Sequence, residues 1–250
     1  MKPKYSVIIA TKNEEEAIAK VLCSIPEEIK KRSEVIVVDS STDYTPIIAD
    51  KLGARVIRER KDGKGRAMRR GVKESKGDIL IFLDGDGTDP PQFIPKLIKK
   101  LDTCNLVLGC RAIKKFKTDS WWVKNIFIPY KLFMVPFFNL AGFKVSGDPL
   151  AGFRAIRRSD WEKLNLKSNG FEIEAEMNIK SVIHGFKVKE VPIPHLKRGG
   201  GLFNSKLVTN PKMWFKIMNV VLKYVKDEKI KKKMKRLVKQ YKEFLAKKFK

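Results

Sequence analysis

Histidine, cysteine and long apolar runs are scarce in this chain of 250 residues, and each shortage narrows what it can be. The two histidines, His184 and His195, read as structural or solvent-facing residues rather than catalytic ones. Cys23, Cys104 and Cys110 show no Cys-x-x-Cys spacing, so neither a zinc site nor a disulfide framework is indicated. Reduced thiols in a cytosolic protein are expected. No apolar run reaches the ~18 residues that a membrane-spanning helix requires. The apolar stretch Tyr5 to Ala10 is too short for a signal peptide and runs at once into Lys12-Asn13-Glu14, so a cytoplasmic protein is expected. Acidic residues are also few: 28 Asp and Glu face 54 Lys and Arg, a net charge of +26. Such an excess points to an anionic partner, whether nucleic acid, a membrane surface or a phosphorylated substrate.

What is present is an ordered alternation. The runs 5–11, 34–40, 54–59, 78–84 and 105–111 are short, apolar and read as strands. Between them, about 14–25, 43–52, 64–75 and 90–101 read as helices, each opened by a polar or proline-bearing turn. Strands this apolar are buried on both faces, and strand–helix alternation then implies a parallel sheet covered by helices. Ligands of such sheets bind beyond the carboxyl ends of the strands, which here carry "ATKNE", "VVDSSTD", "FLDGDGTD" and "LGCR". Further on, 121–143 is aromatic and apolar, with Lys124, Lys131 and two internal prolines. A helix over 170–186, a strand over 187–193 and a glycine-rich basic loop, 195–206, follow. From Pro211 the chain reads as two basic amphipathic helices.

The most informative stretch is "FLDGDGTDPP", Phe82 to Pro91. Asp84 and Asp86 lie two apart where a buried strand ends, and Gly85 and Gly87 allow the turn that lets their carboxylates converge. Two carboxylates without His or Cys suit a hard divalent ion, Mg²⁺ or Mn²⁺, which also takes phosphate oxygens. Asp89 is placed to cap a helix starting at Pro90. Asp39 ends another buried strand, where a carboxylate can accept hydrogen bonds from a base or ribose, or serve as a turn residue beside Asp43. "KDGKGRAMRRG" lacks the spacing of a nucleoside-triphosphate loop, so Lys64, Arg66, Arg69 and Arg70 read as a solvated helix face.

Taken in order, "VIIATKNEE", "VVDSSTDYT", "GKGRAMRRG", "FLDGDGTDPP", "LGCR", "DPLAGFRAIRR" and "RGGGLFNSKL" resemble the family 2 glycosyltransferases of the GT-A fold, over residues 4–210. Dolichol-phosphate mannose and glucose synthases are the branch they resemble most. The resemblance implies an α/β fold, a Rossmann-like, mostly parallel sheet with helices on both faces, with amphipathic helices added at an interface and at the C-terminus. It implies one catalytic domain over 1–210, in which 112–145 faces acceptor and membrane, and a basic helical tail over 211–250. Asp84 and Asp86 match the family's metal and donor-diphosphate motif, with Gly85 contributing backbone and Thr88 as a third ligand position. Ala10, Lys12, Glu14 and Asp39 match positions around the nucleotide. Arg111 matches a donor-contacting arginine, Asp148 the acidic residue of the acceptor-side motif, and Arg198 and Lys206 the basic loop that closes over phosphates. The chain departs from the family in reading Ala10-Thr11-Lys12-Asn13 for Pro-Thr-Tyr-Asn, and Asp39-Ser40-Ser41 for an Asp-Asp pair.

The implied reaction is an inverting transfer of a hexose from GDP-mannose or UDP-glucose to a polyprenyl or dolichyl phosphate. A metal on Asp84 and Asp86, with Arg198 and Lys206, would stabilise the leaving diphosphate. A phosphate acceptor needs no strong base; an alcohol acceptor would use Asp148, or else Glu174. Aromatics with lysines over 121–143 and the lysine-rich C-terminal helices fit peripheral attachment to an anionic cytoplasmic membrane face. Core packing of 121–143, and a solvated charged tail of the kind heat-stable proteins carry, are the alternatives. A soluble or polysaccharide acceptor is the alternative reaction. Specific nucleic-acid binding has no motif to support it.

Overall fold

The computed structural model describes residues 3–111, 128–194, 196, 198, 199 and 211–248. Among the described residues seven strands form one sheet: β1 (Tyr5–Thr11), β2 (Ser33–Asp39), β3 (Arg55–Arg58), β4 (Ile79–Asp84), β5 (Leu106–Arg111), β6 (Arg154–Arg157) and β7 (Val188–Ile193). Their order across the sheet is β3-β2-β1-β4-β6-β5-β7. β1 to β4 run parallel, as does the β5–β7 pair, and β6 lies antiparallel between β4 and β5. The alternation of the first 110 residues thus gives a parallel half-sheet, and β6, which no sequence run marked, is the antiparallel member of the mostly parallel sheet that the resemblance implied.

Alternating side chains send each strand's residues to two cores. Ile8, Leu80, Phe82, Leu106 and Leu108 join one, with Met68 and Val72 of α4 (Lys64–Glu74), Trp161 of α7 (Arg158–Leu164) and Ile173 and Met177 of α8 (Glu172–Ile183). Val7, Ile9, Ile81, Leu83 and Val107 join the other. There they meet Ile18 and Val21 of α1 (Glu15–Cys23), Ile29 of α2 (Glu27–Lys30), Ala49 of α3 (Thr45–Lys51) and Leu97 of α5 (Ile94–Leu101).

The aromatic segment and the basic C-terminus pack together. In α6 (Ile128–Leu140) Met134, Phe137 and Phe138 are fully buried, while Leu132 is 70% exposed. The described part of this segment therefore supplies core as well as surface; Trp121, Trp122 and Lys124 lie outside the described residues. The C-terminal helix, Glu228–Lys248, turns Met234 and Tyr241 inward, and the Tyr241 ring stacks on Phe133 at 4.2 Å and on Trp214 of the Pro211–Tyr224 helix at 5.6 Å. Each such buried side chain contributes about 1.5–3 kcal/mol. Removing this helix would uncover the apolar face of α6. Its lysines at 232, 233, 235 and 239 are exposed to solvent. Among the described residues no helix is long and apolar enough to cross a membrane.

Candidate active site

β4 delivers Asp84 to the carboxyl edge of the sheet, and the turn after it folds back on itself. Asp86 Oδ1 accepts the Thr88 amide at 3.0 Å and its hydroxyl at 2.7 Å. The Thr88 Oγ1 in turn accepts from Arg111 Nη2, at the end of β5, at 2.9 Å. Asp89 is buried; its Oδ2 accepts the Asp84 amide at 3.2 Å and its Oδ1 pairs with Arg111 at 3.2 Å. This corrects the expectation that Asp89 caps the following helix. That helix opens as a 3₁₀ turn at Pro91–Phe93 with no side-chain cap, because both Asp89 oxygens are taken by the Asp84 amide and Arg111.

The loop after β7 reaches the same place. Arg198 pairs through Nη1 with Asp86 Oδ2 and through Nη2 with Glu14 Oε1, the latter at 2.8 Å, and the Gly199 amide donates to the Asp86 carbonyl at 2.9 Å. Lys206 lies outside the described residues. Gly152, in the turn before β6, packs on Asp84 so closely that a β-carbon there would sit 2.4 Å from Asp84 Oδ2.

Lys64 overturns its reading as part of a solvated helix face. Its side chain is 10% exposed, and Nζ lies 2.5 Å from both Asp84 Oδ1 and Glu174 Oε1. The cause is the N-terminus of α4, which is pressed against the 168–170 loop. The amides of Gly65 and Arg66 donate to the Gly170 and Asn169 carbonyls, turning Lys64 into the site. Arg69 is also engaged, with the Ser168 carbonyl and Asn169 Oδ1, so only Arg70, paired with Glu74 on the helix surface, fits the solvated reading in full.

One ammonium thus serves two carboxylates, and their titrations diverge. Burial would raise Asp84, but Lys64, Arg111 and Arg198 bring it below the ordinary carboxylate range. Glu174 is raised, because burial outweighs Lys64 and Arg154. Burial beside Asp84 pushes Asp89 up to about 7. Arg111 and Lys64 are both raised: burial opposes this, and the surrounding carboxylates overcome it. Divergent carboxylates beside fixed cations are a frequent property of catalytic sites.

Of the other residues singled out from sequence, Asp148 is buried and its Oδ1 accepts the Leu150 amide at 3.0 Å. Asp148, like Asp89, Asp86 and Asp84, acts electrostatically on Arg111, so it too lies near that guanidinium. Ala10, one residue before the end of β1, lies beside Asp84 in register, and Gly85 follows in the turn. Asp39 is wholly buried, held by the Thr11 hydroxyl at 2.8 Å, the Ser41 hydroxyl at 2.5 Å and amide at 3.1 Å, and the Arg58 guanidinium. Lys12 pairs with Asp62. The structure therefore brings together Glu14, Asp84, Asp86, Thr88, Arg111, Asp148 and Arg198. It stitches Asp39 into the base of the first loop.

The comparisons agree with this architecture. A model of glycosyl transferase family 2 matches residues 6–164. A dolichyl-phosphate hexose transferase of Haloferax volcanii is 33% identical over 201 residues, 78% of this chain and 84% of that protein. A dolichol-phosphate mannosyltransferase of Pyrococcus furiosus is 34% identical over 212 residues, 82% of this chain and 59% of that protein. Among solved structures, glucosyl-3-phosphoglycerate synthase from Mycobacterium tuberculosis, in complex with Mn²⁺, uridine-diphosphate and phosphoglyceric acid, shares the fold at a TM-score of 0.69 and 23% identity, over 90% of this chain and 79% of that one. With its sheet, its edge-on carboxylate site and these relatives, the chain belongs to glycosyl transferase family 2 and is a glycosyltransferase close to the dolichyl-phosphate hexose and mannose transferases.

Proposed function

We propose that the enzyme moves a hexose from GDP-mannose or UDP-glucose to a polyprenyl phosphate at the cytoplasmic face of a membrane, with inversion and with a divalent ion. The observation that carries this is the convergence of Asp84 and Asp86 with Arg111, Arg198 and Lys64 at one end of the sheet. Such a mixture of hard oxygens and fixed cations suits a diphosphate donor. The relatives' names supply the lipid acceptor.

The aspartates fit Mg²⁺ or Mn²⁺: both offer oxygen ligands, and Asp86 Oδ2 already carries a cation, the Arg198 guanidinium. Among the described residues no third carboxylate, His or Cys joins them in a closed cage, so the protein would give Asp84 and Asp86, with Thr88 nearby, and leave room for phosphate oxygens. When bound, the ion neutralises charge developing on the leaving diphosphate. Arg198, with Lys206 from the same loop, contacts that diphosphate, and Arg111 holds the Thr88–Asp89 turn in place. Ala10, Lys12, Glu14 and Asp39 shape the nucleotide end. An anionic phosphate acceptor attacks the anomeric carbon without needing deprotonation. Asp148 stands on the acceptor side and would take a proton only from an alcohol, with Glu174 as the second candidate.

Purified protein, supplied with radiolabelled donor, a polyprenyl phosphate and Mn²⁺ or Mg²⁺, is expected to move label into the chloroform phase. Label confined to water-soluble products would refute the lipid acceptor while leaving a transferase. For membrane attachment, the solvent-facing lysines of the C-terminal helix are the test, because deleting the helix would disturb the core. Lys232, Lys235 and Lys239 changed together to Gln should keep the melting temperature. At about 1 kcal/mol per basic residue, they should weaken binding to anionic liposomes on the order of a hundredfold at low salt. Equal sedimentation of wild type and variant would exclude this face.

A further inference from the structure

The loop 146–151, which carries Asp148, is gripped from both ends by side chains with no part in the reaction as derived above. On its amino side stands Glu190 of β7. Its Oε2 accepts the Ser146 amide at 2.9 Å and hydroxyl at 2.8 Å, and its Oε1 accepts the Gly147 amide at 2.7 Å. Gly147 lies so close that a β-carbon would fall 2.7 Å from Glu190 Oε1 and 2.5 Å from the Cys110 β-carbon. On its carboxyl side stands Arg154 of β6, wholly buried. Its Nη2 donates to the Pro149 carbonyl at 2.9 Å and its Nε to the Ala151 carbonyl at 2.6 Å. Nη1 is braced by Asn178 Oδ1 at 2.7 Å, and Asn178 Nδ2 donates to the same Pro149 carbonyl at 2.5 Å. Between the two grips, the Cys110 thiol donates to the Asp148 carbonyl at 3.7 Å.

A loop's polar backbone needs partners, but water or neighbouring backbone ordinarily provides them. Here a carboxylate and a guanidinium are committed instead, and burying an ion costs several kcal/mol. The hydrogen-bond partners of Arg154 among the described residues are carbonyls, the Asn178 amide and the Met177 sulfur, not a carboxylate. Glu190 is half-buried, which would raise it, yet the Ser146 and Gly147 amides, with the Ser146 hydroxyl and Cys110 thiol, hold it below the usual carboxylate range. Its charge is therefore permanent at neutral pH. Fixing a reacting group to within a fraction of an ångström is what such an arrangement achieves, and small misplacements cost large factors in rate.

We propose that Glu190 and Arg154 are positioning residues, a two-sided clamp that sets the 146–151 loop, which carries Asp148, at the acceptor end of the site. The inference rests on the reading of this loop as the acceptor side. Glu190→Gln keeps the shape but points an N–H at one of the loop's donors. It should lower kcat at least tenfold while the KM for the donor sugar nucleotide stays within twofold. Ser146→Ala, which removes one hydroxyl donor from an exposed residue and leaves both backbone bonds, should lower kcat about threefold on the same terms. A wild-type kcat in Glu190→Gln, or a parallel loss of donor affinity and rate, would overturn the clamp. Asp148→Asn, measured alongside, separates the two claims. If it is slow while Glu190→Gln is fast, the clamp fails and the reading of Asp148 stands. If it is fast while Glu190→Gln is slow, the clamp stands and holds the loop for another of its residues.

Discussion

Asp86→Asn is expected to lower turnover by about a thousandfold, at the upper end of what losing one preorganised charge-stabilising group costs, with a melting temperature within about 3 °C of wild type. The structure separates the two effects. The amide oxygen of Asn can still accept the Thr88 amide and hydroxyl now held by Asp86 Oδ1 at 3.0 and 2.7 Å, so the turn after β4 survives. What disappears is the charge on the other oxygen, where Arg198 sits. Arg198 keeps its contact with Glu14 at 2.8 Å, so no buried cation is stranded. The stability cost should be about 1 kcal/mol, which in a protein of this size moves the melting temperature by a few degrees. The charge lost is the one that would bind a divalent ion and face the donor diphosphate. Calorimetry should accordingly find that Mn²⁺ no longer strengthens nucleotide-sugar binding. A variant that turned over at the wild-type rate would remove Asp86 from the metal role.

Much of this architecture was readable in advance. Tyr5–Thr11 coincides with β1, and the ends of β4 and β5 fall within a residue of the apolar runs, because strands buried on both faces leave little choice of boundary. β6 was not readable. Its four residues, Arg-Ala-Ile-Arg, include Arg154, whose complete burial no hydropathy pattern anticipates, and its reversed direction depends on neighbours far away in sequence. The C-terminal helix showed its apolar stripe, yet nothing in that stripe names α6 and Trp214 as its partners. At the site, the carboxylates at strand ends were legible because a charged residue closing a buried strand has few structural reasons to be there. Lys64 was not, since a lysine among Arg66, Arg69 and Arg70 has the composition of a surface. Only the close approach of α4 to the 168–170 loop turns it inward. Glu190 lay hidden in a strand's alternation for the same reason: its partners, Ser146 and Gly147, are more than forty residues away.

Lys64→Met should be the most damaging single change in the site, for stability as well as activity. In the wild type one ammonium lies 2.5 Å from two carboxylates; Glu174 has a side chain only 2% exposed and Asp84 one that is 27% exposed. Methionine fills a similar volume with no charge. It leaves two neighbouring acids with no ammonium between them, and breaking a buried pair in this way costs about 3–5 kcal/mol. At roughly 2–4 °C per kcal/mol for a protein of this size, the melting temperature should fall by about 10 °C. The acids would then repel, and Asp84 would lose the partner that aims Oδ1, so donor binding should weaken along with turnover. Adding Glu174→Gln to Lys64→Met removes one of the two stranded charges. The double variant should therefore recover about half of the lost melting temperature, a coupling that independent sites would not show. Glu174→Gln alone should destabilise modestly, because Lys64 retains Asp84. Scanning calorimetry of the four proteins measures every corner of this cycle. A Lys64→Met melting temperature within 2 °C of wild type, or strictly additive shifts, would mean that the ammonium does not bridge the Asp84 and Glu174 carboxylates.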